Sequence, residues 1–238
     1  KNQKWRFSVA QFLTILGKSV IFVSVLLAVL AFVEVIFSLA HVGEDTVVQP
    51  DPLTGFAHLA NQETTYRLEG HSSSRTNSMG FREKEIAVPK PAGLTRIVVL
   101  GDSVTTGLEV PPERNFAKLL ESRLQAAGRK NLEVLNCGLT GFGTGQEYLL
   151  YKQKIAKLQP DVLIVAFHLG DVDDDMAAST NPPRPTFALS PQGKLQVDFR
   201  GVDKWLASFD SRYYSSFEQV RRNSRILALL TRAQLVMS

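Results

Sequence analysis

A single cysteine, Cys137, stands in 238 residues, so no intrachain disulfide can form. It follows Asn136 at the end of an apolar run, where a thiol behaves as a small buried hydrophobe. No cluster of lysines and arginines occurs. The 27 basic residues are spread along the chain against 23 acidic ones, and a net charge of +4 is too mild and too diffuse to track a phosphate backbone. Nucleic acid is set aside as a partner. No internal repeat is visible. Histidine is scarce: the four residues are His41, His58, His71 and His168, so no histidine base lies after position 168. What is present suffices for one substantial core with an appendage.

The appendage comes first. Ser19 to Ala40 is almost wholly apolar, and at about 1.5 Å per residue it spans roughly the 30 Å hydrocarbon core of a bilayer. Lys1, Lys4, Arg6 and Lys18 precede it, and Glu44 and Asp45 follow it. The positive-inside rule then places residues 1–18 in the cytoplasm as a terminus and helix start. Residues 19–40 form the transmembrane helix. Everything from residue 41 onward lies outside, as a periplasmic or extracytoplasmic domain of a single-pass inner (plasma) membrane protein. Ser38-Leu39-Ala40 has the small-x-small form of a signal cleavage site, but the apolar run exceeds a signal peptide's, so a retained anchor is expected. Glu34 lies inside the apolar span, where an ionisable group is expensive. Two explanations are open: it reaches toward the outer interface, or it pairs with a neighbouring helix.

Residues 41–94 read as an extended lead-in wrapped on the main domain. Asp51-Pro52-Leu53-Thr54-Gly55 carries turn signals, and Asn77-Ser78-Met79-Gly80-Phe81-Arg82 is the one tight motif. From Thr95 the pattern alternates. Strands are predicted over Arg96–Leu100, Leu132–Asn136 and Val162–Phe167, with helices over Glu113–Ala127 and Thr144–Leu158 between them. This alternation predicts an α/β domain, residues 95–238, with a flavodoxin-like parallel sheet and helices on both faces. Asn181 to Pro185 reads as a rigid connector. A β-hairpin is expected over Thr186–Val197, turning at Ser190–Gly193, and helix over much of Asp203–Met237.

In such a sheet the site lies beyond the carboxyl ends of the strands. Three loops begin there. They are Gly101-Asp102-Ser103, then Asn136-Cys137-Gly138-Leu139-Thr140-Gly141-Phe142-Gly143-Thr144, then His168-Leu169-Gly170-Asp171-Val172-Asp173-Asp174-Asp175. A serine at a strand tip is where an α/β enzyme places a nucleophile. The run Asp171–Asp175 lacks the glycine and terminal glutamate of an EF-hand, and a solvated acidic turn is expected rather than a metal site. His168, at a strand end, could face the site, but a buried or surface-lining histidine is expected. No cofactor is expected.

With these three blocks in this order, the chain from about Asn77 to Asp175 resembles the SGNH/GDSL hydrolase family, in particular a membrane-tethered bacterial branch. The resemblance implies that Ser103 is the nucleophile, that the Gly141 N–H helps bind the oxyanion, and that an asparagine in the third block supplies a further amide donor. It also implies an Asp-x-x-His block that provides the base. Two departures stand out. Asp171 occupies the asparagine's position, or the asparagine is deleted and Asp171 matches the aspartate after it; in either alignment the donor is missing. Such a donor is worth a factor of about 10²–10³ in rate. No Asp-x-x-His block is found up to Ser238, so the base lies in sequence beyond it or catalysis has been given up. A serine without a base is a poor nucleophile.

Two functions follow as expectations. In the first, the protein is a non-catalytic accessory subunit of a larger membrane complex, respiratory or photosynthetic for example. It is held in the bilayer by its helix, which contacts membrane-protein partners. In the second, it is an active serine esterase, acyl hydrolase or acyltransferase.

Overall fold

The structure is a computed structural model that describes residues 9–39, 48–66, 70–176, 183–208 and 224–227. The chain divides into two units, one holding residues 1–44 and 214–238 and the other residues 45–213.

In the first unit, helix α1 runs over Val9–Leu39. The stretch Phe12–Leu39 is long and apolar enough to cross a membrane. The helix starts well before Ser19, because Val9 to Gly17 contains no proline and continues the apolar composition without a stop signal. Leu13, Val20, Phe22, Leu27 and Phe32 present their side chains outward, as a lipid-facing helix requires. Glu34 is the exception. Its carboxylate accepts the backbone N–H of Ile226 at 3.2 Å, that of Arg225, and the Ser224 hydroxyl at 3.1 Å. The pairing explanation for Glu34 therefore holds, and its partner is a helical turn at Arg225–Leu227.

The second unit is built on a three-stranded parallel sheet among the described residues, in the order β6-β5-β7, with β5 Thr95–Gly101, β6 Leu132–Asn136 and β7 Val162–Ala166. The register aligns Val98 with Leu135 on one side and Leu163 on the other. Alternation along β5 sends Val98 and Leu100 to one face and Ile97 and Val99 to the other. Helix α3, Phe116–Ala126, covers the Ile97 face through Ala117, Leu120 and Leu124. Helix α4, Thr144–Gln153, covers the other through Leu150 and Tyr151, joined by Phe56, Phe81 and Phe142. The Phe56 and Phe142 rings meet edge to face at 5.5 Å. Helices thus lie on both faces of the sheet.

Both long helices are shorter than predicted, for local reasons. Asn115 interrupts the first: its Oδ1 accepts the Ala117 N–H at 2.9 Å as an N-cap, and only a single tight turn, Pro112–Arg114, precedes it. The second ends at Gln153 and tightens into a 3₁₀ turn, Ile155–Leu158, closed by Gln159 at φ 54° before Pro160.

The lead-in is more structured than an extended segment. It forms two antiparallel hairpins, β1 Val48–Asp51 with β2 Gly55–His58, and β3 Glu63–Tyr66 with β4 Ser72–Arg75. The first turns where expected, because Asp51 Oδ1 accepts the N–H groups of Leu53 and Thr54 at 3.0 and 2.9 Å. The acidic run is also not a turn. It forms helix α5, Gly170–Met176, whose first turn carries Asp171 and Asp173, a favourable place for negative charge. The hairpin β8 Thr186–Leu189 with β9 Leu195–Asp198 forms as predicted, and α6, Arg200–Ser208, follows. Asn181, Pro182 and most of the helix expected over Asp203–Met237 lie outside the described residues.

Strand β7 is an edge of the sheet among the described residues. Val162, Val165 and, just past its end, Phe167 (58 % exposed) and Leu169 (80 % exposed) stand uncovered.

Candidate functional site

The three loops converge at the carboxyl ends of β5, β6 and β7. Gly101 ends β5 without a side chain because a Cβ there would collide with Thr105. Asp102 then caps helix α2, Ser103–Thr106, by accepting the Val104 N–H at 2.9 Å. Ser103 opens that helix, half-buried, and its hydroxyl has no hydrogen-bond partner among the described residues.

The far end of α2 is clamped from the lead-in. Arg82, buried, donates to the carbonyls of Thr106 (3.3 Å), Gly107 (2.5 Å) and Val110 (2.6 Å) and to the hydroxyls of Ser72 and Ser74. Its neighbour Phe81 fills the core, and Asn77 Oδ1 holds the turn by accepting the N–H groups of Met79 and Phe81, both at 3.0 Å. The Asn77–Arg82 motif thus supports the serine loop from behind. Asn136 does the same from β6: its Nδ2 donates to the Thr105 carbonyl at 2.7 Å and its Oδ1 accepts the Gly138 N–H at 3.0 Å.

Gly141 takes φ +81°, a conformation that favours glycine. A side chain there would also meet the Phe56 ring and the guanidinium of Arg184. In the sequence Arg184 is only part of the connector Asn181–Pro185. It forms a 2.6 Å ion pair with Asp174 and lies 5.9 Å from the centre of the Phe56 ring. An arginine among prolines carries no periodic signal that would have found it.

The third loop brings carboxylates in. Asp171, 1 % exposed, accepts the Thr144 hydroxyl and the His168 backbone N–H on its Oδ2, both at 3.0 Å. Asp175 accepts the Gly145 N–H at 3.0 Å. Ligand atoms of Asp102, His168 and Asp171 all lie within 4.8 Å of one another. His168 is therefore brought to the site, not merely to the surface. Its Nδ1 accepts the Gly170 N–H at 3.0 Å. In this orientation the neutral ring carries its proton on Nε2, and its one lone pair is engaged by Gly170.

Glu147 completes the acidic group. One turn after Thr144 on α4, it is 2 % exposed, and neither carboxyl oxygen has a hydrogen-bond partner among the described residues. Burial, and then the charges of Asp171, Asp102 and Asp175, push its carboxyl up to about 8. Burial likewise raises Asp175. The site potential is negative, the reverse of what a developing oxyanion needs.

A cleft lies elsewhere. It holds about 830 Å³ between the lead-in and α3, and none of Ser103, Gly141 or Asp171 lines it. Its charges compensate one another, Lys118 pairing with Glu83 at 2.7 Å and with Glu121 at 3.2 Å. The chain matches no protein-family model, and no curated protein matches it.

Proposed function

We propose that this protein is a membrane-anchored, SGNH/GDSL-like domain that does not hydrolyse esters and acts as an accessory subunit of a membrane complex. The observation that carries this reading is Asp171. Where the resembling family places an amide donor, this chain has a buried carboxylate that already accepts two hydrogen bonds. A carboxylate offers an oxyanion repulsion instead of a proton. In the imidazole beside it, the Nδ1 lone pair is engaged by the Gly170 N–H.

Two features support a role in an assembly. The exposed apolar row at the β7 edge, Val162, Val165, Phe167 and Leu169, is of the kind that partner chains cover. Helix α1 supplies an anchor, and the basic residues before it orient the domain to the outer face.

The test is hydrolysis of p-nitrophenyl acetate and longer p-nitrophenyl esters by the full chain in detergent, beside Ser103→Ala. Equal rates are expected. A rate that falls at least about a hundredfold on substitution establishes the other reading, an active serine acyl hydrolase or acyltransferase.

A further inference from the structure

We infer that the cluster of Asp102, His168 and Asp171, backed by Glu147, binds a divalent transition-metal cation. The inference shares a location with the proposed function but not its premise, since it stands whether or not Ser103 reacts.

The first observation is geometric. Two carboxylates and one imidazole, drawn from the ends of β5 and β7 and the start of α5, place ligand atoms within 4.8 Å of one another. Bonds of about 2.0–2.2 Å from oxygen and nitrogen to a first-row cation draw such a group inward by small side-chain movements. Carboxylates together with an imidazole suit Zn²⁺ or Mn²⁺ better than Ca²⁺, which takes oxygen ligands.

The second observation is independent of the first. Glu147 is 2 % exposed and both its oxygens lack a hydrogen-bond partner among the described residues. A buried carboxyl group in that condition costs several kcal/mol by itself, on the order of 2–7. It sits one helical turn after Thr144, whose hydroxyl bonds Asp171, so both α4 side chains face the same acidic group. A cation compensates this group directly, or through a water held between them.

The N-terminus of α4 accounts for part of the acidity. It satisfies Asp171 through Thr144 and Asp175 through Gly145, but it does nothing for Asp102, His168 or Glu147. Arg184, whose charge acts on Asp175, is engaged with Asp174. His168 joins the site by turning its ring away from the Gly170 N–H, a movement open to an exposed side chain.

The experiment uses the full chain in detergent, stripped with EDTA and titrated calorimetrically with ZnCl₂ and with MnCl₂. One saturable equivalent per chain is expected for at least one of the two ions. His168→Ala, a change at an exposed residue that leaves the core intact, weakens Zn²⁺ binding at least about tenfold, and Glu147→Gln weakens it by a similar factor. Asp198→Asn, which removes an exposed acid paired with Arg200, leaves binding unchanged. In parallel, manganese electron paramagnetic resonance reads bound ion without requiring heat. Absence of saturable binding of either ion overturns the inference. So does binding that His168→Ala and Glu147→Gln leave as tight as in the parent.

Discussion

The Thr144 hydroxyl donates to Oδ2 of Asp171 at 3.0 Å, and the same oxygen accepts the His168 N–H at 3.0 Å. One carboxylate therefore ties the first turn of α4 to the end of β7. The bond fixes the residue that decides the site's polarity as an acceptor. Thr144→Val removes the donor and keeps the shape, and unfolding by denaturant is expected to show a loss of about 1 kcal/mol. Thr144→Ser restores most of it.

Glu147 makes stability depend on pH. Its folded value of about 8 lies above the ordinary 4.5, so the folded protein holds a proton that the unfolded chain releases. The stability it contributes is complete below pH 4.5 and is lost as pH rises through 8. His58 acts in the opposite sense: burial lowers it from 6.5 to about 4, so its contribution is complete above pH 6.5 and is lost as pH falls through 4. Above pH 6.5 the His58 contribution no longer changes, while the Glu147 slope continues. Glu147→Gln is expected to flatten the decline between pH 6.5 and 8 in denaturation midpoints. A decline as steep as in the parent would show that the proton is bound elsewhere.

The loop that carries Ser103 rests on Arg82. Arg82→Met leaves the carbonyls of Thr106, Gly107 and Val110 without their shared donor. A loss of about 3 kcal/mol or more is expected in equilibrium unfolding, the range for breaking a buried charged network. Phe142→Ala, which empties one half of the aromatic pair with Phe56, is expected to cost about 3–5 kcal/mol.

Glu34 holds the turn at Arg225–Leu227 through two backbone N–H groups and the Ser224 hydroxyl. Glu34→Ala leaves those donors without an acceptor. Hydrogen exchange at the Ile226 amide is expected to quicken at least about tenfold, the equivalent of one charged hydrogen bond, while Glu34→Gln keeps an acceptor and much of the protection. Equal exchange in all three proteins would mean that the contact contributes nothing to stability.

The sheet was legible in the sequence because its strands are continuous apolar runs between turn residues, and β5 and β6 are buried as that pattern implies, while β7 is exposed. Leu132–Asn136 agrees residue for residue. The acidic run was misread because five residues with four carboxylates have no apolar period; their helix is set by tertiary partners, Thr144 and Gly145, that no local rule reveals. Glu147 carries no local signal of burial in the sequence; tertiary packing buries it. Arg184 likewise gains meaning only when the chain folds back over Phe56 and Asp174.

The reactivity of Ser103 is the most direct test. The full chain in detergent is treated with a fluorophosphonate at pH 7.5, and the adduct is read by intact mass and peptide mapping, with Ser103→Ala beside it. The account predicts no adduct on Ser103, since Asp171 accepts where a donor is needed and the His168 Nδ1 is engaged by the Gly170 N–H. Stoichiometric modification that disappears in Ser103→Ala would contradict it and restore the serine as a working nucleophile.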